Sequence, residues 1–217
     1  MSWDDIACEH GMHRTDLYRP HGTDKGSGSH DYMRHYQRVL EGRKVRSLLE
    51  IGVQSGASLA VWSEVFPDAR ICGIDIDPDC GAFDLGFDVL AGRAGTEPEQ
   101  WFNAFDGRQF DVIIDDGSHL ASDTEANLAV WAPRLAPGGI YVIEDTVIGS
   151  TSWVQSLNET VTMLLAAGLT PFAVERGAMR WVAHSHYGGM MAIVFADAEC
   201  EIPDLIPPEH PSSVLVS

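Results

Sequence analysis

Two apolar runs of this 217-residue chain end in acids. Phe110-Asp111-Val112-Ile113-Ile114 enters Asp115-Asp116-Gly117-Ser118-His119, and Gly139-Ile140-Tyr141-Val142-Ile143 enters Glu144-Asp145. An apolar run of this kind reads as a buried parallel strand, and open α/β sheets bind ligands outside the carboxyl ends of such strands. Two neighbouring strands ending this way gather several carboxylates into one crevice. Unpaired carboxylates repel one another, so such a cluster calls for a bound cation. A histidine, His119, stands one turn beyond Asp116.

A second chemical element precedes these. One apolar run leads into Glu50-Ile51-Gly52-Val53-Gln54-Ser55-Gly56, and the next ends in Gly73-Ile74-Asp75-Ile76-Asp77. Glycines directly after a first strand let a ligand approach the backbone, and an acid ending the second strand can accept hydrogen bonds from two ribose hydroxyls. A dinucleotide site would prefer G-x-G-x-x-G. Here an acid precedes the first glycine, and the two glycines are four apart. Glu50 would repel a pyrophosphate but suits the sulfonium and ammonium of S-adenosylmethionine. The plain alternative is a tight structural turn with a surface aspartate.

The elements that must position these groups alternate. Strands are expected at 45–51, 70–76, 87–90, 110–114 and 140–143, with helices at 58–66, 98–105 and 123–135 between them. Ala136-Pro137-Gly138-Gly139 reads as a turn. A helix with apolar positions Val154, Leu157, Val161, Leu164 and Leu165 follows, and two antiparallel strands at 180–183 and 190–195 close the pattern. Residues 1 to about 30 lack periodicity, and a short helix follows with Asp31 as its N-cap. Trp62, Trp131 and Trp153 fall within helical patterns and read as core. The fold class is therefore α/β, a doubly wound Rossmann-like sheet, mostly parallel.

Composition narrows the partners. The net charge is −18, from 32 acids against 14 bases. That excludes nucleic acid and anionic membranes, which need basic patches, and suits a small neutral or cationic ligand or a metal ion. No run is long enough to span a bilayer, and the N-terminus lacks a signal-peptide pattern, so a cytoplasmic location is expected. Cys8, Cys72, Cys80 and Cys200 have no zinc spacing and are expected as free thiols.

The motifs His21-Gly22-Thr23-Asp24-Lys25-Gly26, Leu49-Glu50-Ile51-Gly52, Gly73-Ile74-Asp75, Ile114-Asp115-Asp116-Gly117-Ser118-His119 and Tyr141-Val142-Ile143-Glu144-Asp145 resemble those of the magnesium-dependent sugar O-methyltransferases, the macrocin and mycinamicin enzymes among them. The resemblance runs from about residue 20 to 196. It implies a class I methyltransferase fold with a seven-stranded sheet whose last strand is antiparallel. It divides the chain into an N-terminal lid or helical segment (1–42), the methyltransferase domain (43–200) and a C-terminal tail (201–217), without the auxiliary N-terminal domain that some macrolide enzymes carry. The cofactors implied are S-adenosylmethionine and Mg²⁺, with Mn²⁺ able to use the same ligands. The acceptor would be a saccharide or glycoside, and a homo-oligomer is expected.

Residue by residue, the resemblance makes Asp116, Glu144 and Asp145 the metal ligands and His119 the general base. Glu50, Gly52 and Asp75 match cofactor-binding positions, with Ser58 and Asp115 as further candidates; Asp115 could equally cap the next helix or bind backbone amides. Thr23, Asp24, Lys25, Tyr32 and His186 are candidates for the acceptor side. For Asp24 and Lys25 the plainer reading is a surface ion pair, and for His186 packing against the sheet edge. The run Ala91-Gly92-Arg93-Ala94-Gly95 lacks the acid and glutamine that relatives often carry there, so adenine contacts by those side chains are not carried over. Three rivals remain. A catechol-type O-methyltransferase typically presents D…D-N rather than D…E-D, a nicotinamide oxidoreductase needs the missing glycine fingerprint, and a non-catalytic cofactor-binding protein would have a broken triad or no base.

Overall fold

The five strands expected between residues 45 and 143 are present and lie side by side. A computed structural model describes residues 1–11, 22–27, 30–96, 98–146, 178–184 and 189–194. Strands β1 (Ser47–Ile51), β2 (Arg70–Asp75), β3 (Asp88–Ala91), β4 (Phe110–Asp115) and β5 (Leu135–Thr146) pair in the order β3-β2-β1-β4-β5, all parallel. Helices α3 (Ala57–Val65), α4 (Pro98–Ala104) and α5 (Ala121–Trp131) make the crossovers. Strand order reverses between β1 and β4, and such a switch point opens a crevice at the carboxyl edge. Ile51 pairs with Ile74 and Asp115, and Asp115 with Ile143. This row brings Gly52, Asp75, Asp116 and Glu144 to one rim.

Burial on both faces of β1, where all five residues are buried, explains why the runs are continuously apolar instead of alternating. One face packs a layer that includes Leu48, Val112, Ile114 and Val142 against Trp62 of α3. The other packs Leu49, Ile113 and Tyr141 against Trp101, Phe105 and Trp131. Trp62 and Trp131 are fully buried, as their helical spacing predicts. Cys8, Cys72 and Cys80 are free thiols, the last two buried.

Four local readings are corrected. The aperiodic N-terminus contains helix α1 (Trp3–Glu9), closed by a capping box in which the Ser2 hydroxyl accepts from Asp5 N–H and the Asp5 carboxylate from Ser2 N–H. Seven residues are too few to display a period, and the Ser2-x-x-Asp5 spacing was the available signal. The next helix, α2 (Met33–Leu40), takes Tyr32 and not Asp31 as its N-cap; Asp31 has φ +58° and pairs with Arg34 at 2.8 Å. Residues 136–139 lie inside β5 as an irregularity, since the β4 register moves from Phe110↔Leu135 to Val112↔Ile140, with Gly138 at φ +75°. The helix expected to run to 135 ends at Trp131 and tightens into a 3-10 turn at Ala132–Arg134, where Pro133 cannot donate to the helix.

Helices α1 and α2 do not stand apart from the sheet. Ile6, Ala7, Tyr32, Met33, Tyr36, Val39 and Leu40 are buried in the same apolar layer as Leu48 and Trp62. Beyond β5, strand β7 (Gly189–Val194) pairs antiparallel with β5, and β6 (Ala178–His184) pairs antiparallel with β7. The helix expected around Val154–Leu165, Trp153, Cys200, His186 and the 201–217 tail lie outside the described residues.

Candidate active site

The rim residues enclose a cavity of about 510 Å³, a volume suited to a small cofactor. At one end lies the turn after β1. Gly52 has φ +87°, and a Cβ there would strike the backbone carbonyl of Asp116, so only glycine lets the β1 and β4 turns meet. Asp75 accepts from Gln54 N–H (2.7 Å) and Asp77 N–H (2.9 Å), which aims its carboxylate while leaving lone pairs for a ligand. Ser58 also lines this end. The far wall is Gly92–Thr96 with Asp123, Ala126 and Asn127. There Arg93 pairs with Asp123 at 3.1 Å.

Beside the turn after β1, Asp116, His119 and Asp145 line the cavity together with Thr23, Asp24 and Lys25. His119 Nε2 is 3.8 Å from Asp145 Oδ2. One ligand atom from each of Asp116, His119 and Asp145 lies within 4.8 Å of the other two, and Asp24, His30 and Asp145 form a second such group. Oxygen-rich sets of this kind suit a hard divalent cation. His119 (φ +58°), Asp145 (φ +48°) and Gln54 (φ +45°) are in the left-handed region although none is glycine, and all three line the cavity. Each costs about 1–3 kcal/mol, a strain that proteins tend to keep at functional positions.

Lys25 is the group the sequence placed least well. It is 1% exposed and no surface ion pair with Asp24. Its Nζ lies 2.7 Å from Asp116 Oδ2, 2.7 Å from Glu144 Oε2 and 3.2 Å from Glu50 Oε1, so one ammonium ties three strand ends together. Burial alone would lower its pKa; the three carboxylates outweigh burial and hold it well above the ordinary lysine value. Burial raises the pKa values of Glu50, Asp116 and Glu144, and Lys25 offsets part of that rise.

Two candidates stand behind the cavity wall. Glu50 is fully buried and holds Ser58 Oγ (2.7 Å) and Lys25, so it touches the site only through them. Asp115 is 3% exposed and accepts from Asn127 Nδ2 (3.1 Å) and Tyr141 OH (3.2 Å). It does not cap α5, whose N-cap is Leu120. Burial pushes its carboxyl up to about 7, against the pull of those two donors. Consecutive residues on a strand face opposite ways, so when Asp116 meets the crevice Asp115 faces the opposite layer.

Glu144 and Asp145 also differ in their access to the cavity. Both Glu144 oxygens are engaged, one by Lys25 and the other by the Tyr36 hydroxyl. Glu144 is 2% exposed and does not line the cavity. Asp145 accepts from Tyr32 OH at 2.7 Å, and His30 Nδ1 lies 3.3 Å from the same oxygen. Tyr32 is fully buried and supports an acid, instead of reaching toward an acceptor. Sequence reasoning missed Tyr36, His30 and Asn127. The i, i+4 spacing of Tyr32 and Tyr36 was the one available hint; nothing local marked the other two.

Residues 49–146, just under half of the chain, match a family described as a methyltransferase domain. The L-olivosyl-oleandolide 3-O-methyltransferase of Streptomyces antibioticus is 38% identical over 135 residues, covering 57% of this chain and 34% of that protein. The mycinamicin VI 2''-O-methyltransferase of Micromonospora griseorubida is 34% identical over 123 residues, covering 52% and 30%. The chain thus spans about a third of the length of the curated relatives it matches. Among solved structures, the MycE methyltransferase from the mycinamycin biosynthetic pathway, in complex with Mg, SAH and mycinamycin VI, superposes with a TM-score of 0.61 at 22% identity. That match covers 94% of this chain and 57% of the other, a likeness of fold. Residues 49–146 are therefore similar to a methyltransferase domain, and the relatives matched by sequence are O-methyltransferases.

Proposed function

We propose that this chain transfers the methyl group of S-adenosylmethionine to a hydroxyl of a sugar unit on a glycoside or saccharide, with a divalent cation, magnesium or manganese, at the acidic end of the cavity. One observation carries the reading. A single cavity is lined both by a glycine turn and ribose-suited acid (Gly52, Asp75) and by a histidine close to two carboxylates (His119, Asp116, Asp145). The relatives' names support the reaction class and the acceptor class.

The chain's own residues divide the work. Gly52 admits the cofactor to the backbone, Asp75 holds its ribose, and Ser58 lines the same end. Asp116 and Asp145 are the cavity-lining carboxylates that would hold the cation; Glu144, the third acid expected there, would join them only by giving up its Lys25 contact. The Lys25 ammonium between Asp116 and Glu144 marks that spot as one that stabilises positive charge. When bound, the cation supplies a fixed positive charge that orients an acceptor hydroxyl and acidifies it. His119 accepts the proton of that hydroxyl as the oxygen takes the methyl group, a task worth typically ~10²- to 10⁴-fold in rate. Thr23 and Asp24, which line the cavity, meet the acceptor, and the described part of the N-terminal segment around them covers that side of the site. The antiparallel β6–β7 pair completes the seven-stranded sheet of the class I methyltransferases, and a homo-oligomer is the expected assembly.

The test is calorimetric binding of S-adenosylmethionine followed by methyl transfer to a panel of glycosides, with and without EDTA. Cofactor binding with EDTA-sensitive transfer to a sugar supports the reading. Transfer to catechols alone would move the chain to the vicinal-diol aromatic class, and absence of cofactor binding would overturn methyl transfer altogether.

A further inference from the structure

We infer that Tyr32 and Tyr36 are positioning residues, Tyr32 deciding which oxygen of Asp145 faces the cavity and Tyr36 fixing Glu144 behind the cavity wall on the side opposite Lys25, and that they so set the affinity of the acidic end for a divalent cation. This rests on the metal-assisted reading above. Tyr32 precedes α2 and Tyr36 lies one turn later, so both phenols rise from one edge of the helix toward the end of β5. Their hydroxyls reach adjacent acids, Tyr32 to Asp145 Oδ1 at 2.7 Å and Tyr36 to Glu144 Oε1. Both rings are fully buried and absent from the cavity wall, and Tyr36 is also locked edge-on against Trp62 with ring centroids 4.8 Å apart. Neither side chain can contact an acceptor from there.

The consequence is specific to each oxygen. With Oδ1 taken by Tyr32, Asp145 turns Oδ2 toward His119. Asp145 also sits at φ +48°, a backbone state that would relax without a tether. Glu144 is gripped from two sides, by Tyr36 on one oxygen and Lys25 on the other. Phenol donors therefore act on these acids as outer hydrogen-bond partners act on metal ligands, whose loss typically weakens metal binding roughly 10- to 100-fold.

The test is Mn²⁺ binding by titration calorimetry, checked by the loss of free-ion paramagnetic resonance signal, on wild type, Tyr32→Phe and Tyr36→Phe. Melting temperature and S-adenosylhomocysteine affinity are measured on the same samples. The expected result is a Mn²⁺ affinity lowered roughly 10- to 100-fold in Tyr32→Phe, a smaller loss in Tyr36→Phe because Lys25 still holds Glu144, and S-adenosylhomocysteine affinity unchanged in both. Equal Mn²⁺ affinity in all three proteins overturns the inference and leaves the metal reading intact. Parallel loss of Mn²⁺ and S-adenosylhomocysteine binding in both variants also overturns it, because the phenols would then be general structural supports. No Mn²⁺ binding by wild type overturns the metal reading itself, and the inference with it.

Discussion

Replacing Lys25 with methionine removes a charge while keeping much of the side chain's length, at a nearly buried position. The ammonium is 1% exposed and serves Asp116, Glu144 and Glu50 at 2.7, 2.7 and 3.2 Å. Deleting one partner of a buried ion pair costs about 3–5 kcal/mol, because the remaining charge stays desolvated. For a protein of this size each kcal/mol moves the melting temperature by about 2–4 °C, so a drop of roughly 6–20 °C is expected in EDTA. The loss should grow with pH. Burial holds the folded pKa values of Glu50, Asp116 and Glu144 above their unfolded ones, so their contribution is fully present below the unfolded values and is lost as pH rises through the folded ones. Without Lys25 that rise is steeper, and Lys25→Met should suffer more at pH 8 than at pH 5.5. Excess magnesium should restore part of the loss, since a cation at ~100 times its Kd returns about 2.7 kcal/mol. Scanning calorimetry of both proteins, with EDTA and with magnesium, is the assay. A variant that melts within ~2 °C of wild type in EDTA would refute the view that this ammonium neutralises the acidic end.

Three further expectations use the same protein. Turnover of His119→Gln on the best acceptor should fall by ~10²- to 10⁴-fold with S-adenosylhomocysteine affinity unchanged; full turnover would remove His119 as the base. Gly52→Ala forces a Cβ against the Asp116 carbonyl at φ +87°, so urea unfolding should show a loss of at least about 2 kcal/mol, and cofactor affinity should drop with it. A wild-type unfolding curve for that variant would contradict the close meeting of the two turns. His35 is 7% exposed, and burial followed by Arg34 and Arg38 lowers its pKa to about 4. Its stability contribution is therefore present above about pH 6.5 and is lost as pH falls toward 4. Between pH 8 and pH 5 that amounts to about 2 kcal/mol, absent in His35→Gln; equal acid sensitivity of the two proteins would argue against it.

Much of this was legible in the chain itself. Continuous apolar runs define strands buried on both faces, and glycine turns and helical spacings between them allow only a parallel, doubly wound arrangement. The row of strand ends then brings Gly52, Asp75, Asp116 and Glu144 to one rim, because parallel strands in register end together. What one dimension does not encode is which way a side chain turns once it reaches that rim. Asp115 and Asp116 look alike in sequence, yet one accepts from Asn127 and Tyr141 beneath the wall and the other faces Lys25 and the cavity. The same split separates Glu144 from Asp145. Lys25 stood beside Asp24 in sequence, with an ion pair between them as the plainer alternative to an acceptor-side role, whereas its partners are 25, 91 and 119 residues away. Element type follows from local pattern and burial, which a sequence carries. Charge pairing follows from which desolvated groups the fold brings within 3 Å, and only the tertiary structure decides that.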